Sequence, residues 1–117
     1  DEIDSAKLNF SDKNDPSGPS RKDLDDGYAV SAPVGSYSPN PWGLYDMLGN
    51  VWEWTCSEYT KTYDGNETTC KNRASETRVL RGGSWFDNPR NLRTALRSWV
   101  TDVVRNLIVG VRLVRVF

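Results

Sequence analysis

An α+β domain with few regular elements is the fold class this sequence predicts, and three observations predict it. The chain has 117 residues, 37% of them hydrophobic, and a mean hydropathy of -0.66. That supports one small, loop-rich domain with a modest core. Apolar periodicity comes in short bursts of two kinds, one-turn spacing after residue 43 and alternation after residues 50, 78 and 108. Five Trp and five Tyr then supply, in a few large side chains, buried area that the aliphatic residues lack.

Each element follows in chain order. Residues 1–41 carry little periodicity, and Asp12-Lys13-Asn14-Asp15-Pro16-Ser17-Gly18-Pro19-Ser20 is a loop by its turn chemistry. Pro33, Pro39 and Pro41 hold the approach to Trp42 extended over the surface. Leu44, Met47 and Leu48 at one-turn spacing, closed by Gly49, predict a short helix. Val51-Trp52-Glu53-Trp54-Thr55 alternates as a strand, and residues 56–77 return to polar loop. Arg78-Val79-Leu80-Arg81-Gly82-Gly83-Ser84-Trp85 reads as a strand ending in a Gly-Gly kink. It is not a phosphate-cradling loop, because no Lys-Ser/Thr or second glycine cluster follows. Residues 109–117 alternate as a terminal strand, and Trp42, Trp52, Trp54 and Trp85 are expected in the core.

Composition excludes several chemistries. There is no His, which removes the usual general base, His-containing triads and most zinc and iron sites. Cys56 and Cys70 alone are too few for zinc; a local disulfide or two free thiols both stay open. Fifteen basic and sixteen acidic residues leave a net charge of -1, which argues against nucleic acid as a partner. Acids crowd residues 1–26 and arginines crowd residues 78–115, and pairing of the two ends within one folded unit is the expected use. No apolar run reaches membrane-spanning length. The chain opens without Met in an acidic stretch, and a piece of a longer polypeptide is the expectation. Asn9-Phe10-Ser11 and Asn66-Glu67-Thr68 are glycosylation sequons if the protein is secreted.

Asn40-Pro41-Trp42-Gly43-Leu44-Tyr45-Asp46-Met47-Leu48-Gly49-Asn50-Val51-Trp52-Glu53-Trp54 resembles the signature of the formylglycine-generating-enzyme (sulfatase-modifying factor) family. So does residues 78–85, followed by Pro89-Arg90-Asn91 and closed by Gly110-Val111-Arg112-Leu113. The resemblance covers roughly residues 30–117 in order and spacing. It implies an elaborated, loop-rich C-type-lectin-like fold, of which residues 1–117 are the C-terminal portion and the N-terminal half is missing. The family's copper oxidases carry cysteines where this chain has Asp87 and Leu92, and neither binds Cu(I) as a thiolate does. Its iron-dependent sulfoxide synthases need histidines, which are absent here. The resemblance therefore implies a binder in place of an enzyme. A cysteine-free enzyme of the formylglycine-generating type, a catalytically inactive homologue and a plain structural module are the rivals.

Within a variable region of about residues 78–115 the family frame is kept at Asn88, Pro89, Arg90, Asn91, Leu92, Arg93, Ala95, Arg97, Arg105, Asn106 and Gly110. Between frame residues, where the family often has Asn, this chain has Phe86, Asp87, Leu96, Ser98, Thr101, Val104, Leu107 and Ile108, with Trp99, Val100 and Val103 interspersed. That scatter resembles the variable proteins of diversity-generating retroelements, in which randomised adenines turn Asn codons into many others. These eleven residues are the expected ligand contacts of a hypervariable face, residues 86–109. The ligand implied is a macromolecule, a protein or cell-surface component, met at a cell or virion surface. Leu96, Val100, Val103, Val104, Leu107 and Ile108 also fit a second reading, as core of strands in a diverged homologue. Arg93 and Arg97, four apart, fit one helix face and are read as frame salt bridges.

The resemblance further implies a structural calcium ion held by Asp46, the carbonyls of Gly49 and Val51, and Glu53, oxygen ligands that suit a hard cation. A second set maps to Asn9, Phe10, Asp26 and Tyr28. The competing reading pairs Asp46 and Glu53 with arginines of residues 78–97. An Asp46–Glu53 carboxylate pair for glycoside hydrolysis finds no other support in the chain.

Overall fold

The structure is a computed structural model that describes residues 7–70 and 77–115. Four strands form one mixed sheet: β1 (Trp52–Glu58), β2 (Arg78–Arg81), β3 (Ser98–Val100) and β4 (Val109–Gly110). Their order across the sheet is β3-β2-β1-β4. β1 and β2 pair antiparallel with a bulge between Trp54 and Glu58. β3 is antiparallel to β2, with Val79 opposite Trp99, and β4 is parallel to β1, with Val109 opposite Trp52. So β3, β1 and β4 run one way and β2 the other. Residues 101–108 must therefore cross the whole sheet, because a parallel pair cannot be joined by a hairpin. Trp52 N donates to Ile108 O at 2.7 Å, which fixes the end of that crossing.

Val79 and Leu80 are consecutive in β2 and both fully buried. Successive side chains in a strand point to opposite faces, so the sheet is covered on both sides at its centre. Phe10, Ala32, Tyr37, Trp52, Trp85 and Leu92 complete the apolar interior. The rest of the interior is polar. Asp26 accepts from Phe10 N at 2.8 Å, Asn9 Nδ2 at 3.1 Å and Tyr28 N at 2.9 Å. Asp12 accepts from Asn14 N at 2.7 Å and Asp26 N at 2.5 Å. Asp15 accepts from Ser11 Oγ and Ser17 Oγ, both at 2.6 Å. These carboxylates do for the loops of residues 8–41 what a ladder does for a sheet: they satisfy backbone N–H groups in place.

Asn50, in a left-handed conformation (φ 64°), joins three segments. Its side chain exchanges two 3.1 Å hydrogen bonds with the Ala32 backbone. Its N–H meets Asn9 O at 3.0 Å, and its carbonyl accepts from Trp85 N at 2.8 Å. Beside it, a Cβ on Gly49 (φ 78°) would lie 2.2 Å from Asn9 O, so only glycine fits.

Several expectations are corrected. No helix forms after residue 43; residues 41–50 are turns. Gly43, Asp46 and Gly49 all have positive φ, which a right-handed helix cannot contain, and Asn40 Oδ1 takes the N–H groups of Trp42 and Leu44 at 3.0 Å each. Trp42 is 82% exposed and outside the core, Trp54 is half-buried, and only Trp52 and Trp85 of the expected four are buried. The terminal strand is two residues long. Residues 111–115 leave the sheet as Arg112 turns to Glu53, and residues 116–117 of that prediction lie outside the described ones. Arg93 and Arg97 share no helix, only a turn in which Leu96 N donates to Arg93 O at 2.9 Å. Among the described residues Lys13 pairs with Asp25 and Arg21 with Asp23, while Asp12, Asp15 and Asp26 accept from hydroxyls, amides and backbone; Asp1, Glu2 and Asp4 of the expected pairing between the acidic and arginine-rich ends lie outside them. Cys56 and Cys70 form a disulfide, worth roughly 3 kcal/mol for a loop of this size. Asn9 is buried, with its amide inside the fold. Among the described residues no helix is long and apolar enough to cross a membrane.

Candidate functional site

Strand β3, the crossing and the entry to β4 carry most of the eleven candidate contact residues. Phe86 and Trp99 are exposed, and Val103 and Leu107 are 79% and 84% exposed. Leu96, Ser98, Val100, Thr101, Val104 and Ile108 are half-buried. They form two clusters at opposite edges of the sheet. At one edge the Phe86 ring stands edge-on to Trp85 at 5.5 Å, and Trp85 Nε1 donates to Leu107 O at 3.3 Å. At the other, the Trp99 ring lies 6.0 Å from Tyr59. Residues 101–108 connect them, with Val104 N bonded to Thr101 O at 3.0 Å and Ile108 N to Asn106 Oδ1 at 3.0 Å. The reading of these residues as core is corrected for Val103 and Leu107, because backbone hydrogen bonds hold the crossing without burying their side chains.

Asp87 differs from the other candidates. Its carboxylate accepts from Trp52 Nε1 at 2.8 Å, Ser84 N at 2.9 Å and Ser84 Oγ at 2.6 Å, so it is turned inward. Leu92 is buried against Gly83, where an added Cβ would come within 2.3 Å of Leu92 Cδ2. At the two positions where the copper oxidases carry thiols, then, stand a hydrogen-bonded carboxylate and a packed leucine. They do not fit a soft Cu(I) ion.

Sequence reasoning missed Glu67. Its side chain is only 6% exposed and is gripped by Arg81 (Nη2–Oε2 2.8 Å) and by Arg97. The Arg97 guanidinium lies 5.1 Å from the Tyr59 ring centre and 5.4 Å from that of Tyr63, a cation–π geometry. Arg97 also donates to Thr60 O at 3.1 Å, and Ser57 Oγ donates to Glu67 O at 2.6 Å. The disulfide-closed loop is thereby fastened to the variable segment. Nothing local marks Glu67, because its partners lie 14 and 30 residues further along.

The expected calcium ligands come together in part. Asp46 Oδ2 accepts from Gly35 N at 2.7 Å. Glu53 is held by Arg112, with Nε–Oε2 2.9 Å and Nη2–Oε1 2.6 Å, and Arg112 Nη2 also donates to Tyr45 O at 2.8 Å. The pairing of Asp46 and Glu53 with arginines of residues 78–97 is thus corrected: the partner is Arg112, and of the two carboxylates it takes Glu53. The Glu53 hydrogen bond holds the Arg112 pKa above its ordinary value. A cavity of about 330 Å³ opens here between Val34, Tyr45, Asp46, Glu53, Val111 and Arg112. Among the described residues, the buried side-chain oxygens that meet no donor are Asp46 Oδ1 and Asn9 Oδ1. One belongs to each oxygen set, and a buried acceptor without a donor costs about 1–3 kcal/mol. Burial first, and the neighbouring Asp12 charge after it, push the Asp26 carboxyl above its ordinary pKa, as expected for acids enclosed without a cation. No group of three or more His, Cys, Asp or Glu is placed for a metal among the described residues, so amide and carbonyl oxygens would make up most of either shell. The orphaned oxygens fit a hard cation.

Known proteins resemble this chain in sequence and in fold. The chain is 42% identical over 64 residues to the inactive C-alpha-formylglycine-generating enzyme 2 of Bos taurus, covering 54% of this chain and 18% of that protein. It is 40% identical over 90 residues to the hercynine oxygenase of Mycobacterium tuberculosis, covering 70% of this chain and 21% of that one. PvdO from Pseudomonas aeruginosa has a similar structure, with a TM-score of 0.76 at 26% identity over 95% of this chain and 40% of its own. Treponema denticola variable protein 1 shares the fold, with a TM-score of 0.66 at 24% identity over 91% of this chain and 34% of its own. The chain spans about a fifth of the length of the two curated relatives. The sulfatase-modifying factor enzyme 1-like domain matches residues 2–117, and the chain therefore belongs to that family, with its C-type-lectin-like α+β fold.

Proposed function

We propose that this chain is the C-terminal portion of a ligand-binding protein that displays a hypervariable face on a lectin-like scaffold, diversified by a retroelement. The observation that carries the reading is the exposure of Phe86, Trp99, Val103 and Leu107 along β3 and the crossing, beside a frame held by backbone bonds. Large apolar side chains kept out of a small core are the usual material of interface anchors. Its ligand is a protein or another cell-surface component, and the disulfide accords with display outside a cell or on a virion. Two calcium ions are structural parts of the scaffold, with Asp46, Gly49, Val51 and Glu53 around one and Asn9, Phe10, Asp26 and Tyr28 around the other. The known relatives include an enzyme and an inactive homologue; Asp87 and Leu92, both committed to packing, favour the inactive kind.

Sequencing the coding region across clones of one population tests the reading without a known ligand. Variation is expected at Phe86, Leu96, Ser98, Thr101, Val104, Leu107 and Ile108, with Pro89, Arg90, Arg97 and Gly110 unchanged, beside an Asn-rich near-copy of the segment next to a reverse-transcriptase gene. Variation spread evenly over frame and face, or no such copy, sinks the retroelement reading.

A further inference from the structure

A second cleft, outside the eleven candidate contacts, opens between the disulfide loop and the turn at residues 94–97. It is lined by Tyr63, Arg81, Thr94, Ala95 and Arg97 and encloses about 480 Å³. Tyr63 forms one exposed wall, and Thr94 and Ala95 are small residues at an open mouth. On its floor, two guanidiniums share one carboxylate, Glu67. The floor keeps a surplus positive charge, and its donors are already ordered. Arg81 Nη1 is shared among the carbonyls of Thr94, Ala95 and Leu96 at 3.4, 3.2 and 3.3 Å. Three long contacts to one nitrogen are weak, and a carboxylate oxygen at ordinary ion-pair distance is the stronger acceptor. The segment that supplies the turn side of the cleft is basic, with eight Arg and two Asp and no Lys or Glu between residues 78 and 115, while the disulfide loop opposite holds Glu58, Asp64 and Glu67 against Lys61.

We infer that this cleft is a subsite for an Asp or Glu side chain of a protein ligand, seated on Arg81 and Arg97 with its neighbouring residue against Tyr63. Glu67 shows how a carboxylate sits between these two guanidiniums, and the incoming one completes the charge balance from the open side. The inference rests on the reading of this side of the molecule as a binding face and extends that face onto the disulfide loop, whose residues are not part of the variable segment.

The test uses the full isotope-labelled chain, oxidised, titrated by NMR with two peptides, acetyl-Gly-Glu-Phe-Gly-amide and its Gln counterpart. The Glu peptide is expected to bind about fivefold more tightly, the scale of one partly exposed ion pair, and to shift the amides of Thr94 and Ala95 and the Arg97 side-chain resonance. Raised salt should erase the preference. Tyr63→Ala, at a residue exposed enough to leave the fold intact, is expected to weaken binding several-fold, and Val114→Ala, at an exposed position away from the cleft, to leave it unchanged. Equal binding of the two peptides, no binding of either, or shifts confined to residues 99–108 overturns the cleft. None of those outcomes touches the variable face, which the clone sequencing tests separately.

Discussion

Residues 8–41 and residues 86–109 use their side chains in opposite ways. The first stretch is rich in Asp, Asn and Ser, yet Asn9, Ser11, Asp12, Asp15 and Asp26 are buried. The second supplies Phe86, Trp99, Val103 and Leu107, all exposed. Hydrophobicity alone would assign them the other way round. What separates them is where the backbone finds its hydrogen bonds. The early loops have no ladder, so carboxylates and amides must come inside to satisfy their N–H groups. The late segment is tied by β3, β4 and its own turns, and its large side chains stay exposed.

Four substitutions or treatments would break or sharpen that contrast. The largest effect belongs to Gly49→Ala, which drives a methyl group into Asn9 O at a left-handed position. Loss of about 3 kcal/mol or more is expected, read by chemical denaturation; a shift below about 1 kcal/mol, the centre of ordinary mutational effects, would mean that the early loops are not locked to Gly49. Removing the bridge with Cys56→Ser and Cys70→Ser should cost about 3 kcal/mol and loosen the Tyr59–Trp99 stack, visible in tryptophan fluorescence.

Calcium comes next. Asp26 has a raised pKa in the folded chain, so without metal its contribution favours folding below the ordinary Asp range and is lost as pH rises through its raised value. An ion on Asn9 and Asp26 reverses that sign. Calcium at a hundredfold excess over its Kd should add about 2.7 kcal/mol, seen as a higher Tm near neutral pH, with a smaller gain at acidic pH, where protons compete with the ion for Asp26. A Tm indifferent to calcium and to chelator at both pH values removes the ions from the scaffold. The smallest effect is expected from Val103→Ser with Leu107→Ser, within about 0.5 kcal/mol. A loss of about 2 kcal/mol (the range of a buried-to-small change) would show that these residues are core after all.

Much of the sheet was legible, because Val79 and Leu80 in β2 and the Gly82-Gly83 kink are local signals. The eleven candidate contacts stand out only against a family frame, and six of the apolar ones also read as core; Asp87, one of the eleven, turns inward to Trp52 and Ser84. The helix misread at Leu44, Met47 and Leu48 shows why spacing is insufficient there, since left-handed residues recur at every third position. Trp42 was misplaced for a related reason: a large ring reads as core by size, but here its segment is a turn over the surface. Arg112 with Glu53, and Glu67 with Arg81 and Arg97, are long-range pairs that carry no mark in their own neighbourhoods.

The crossing from β3 to β4 has one more consequence, concerning length. Its start is fixed where Val100 pairs with Arg78, and its end where Val109 meets Trp52 and Gly110 meets Glu53. A Cβ at Gly110 would lie 2.8 Å from Val51 Cγ2. One residue inserted or deleted among residues 101–108 would slide a valine, Val109 or Val111, into that space and detach the edge strand. The eight positions between the two anchors are therefore fixed in number: exposed side chains such as Val103 and Leu107 can be exchanged there without unseating the edge strand, but the segment cannot change size.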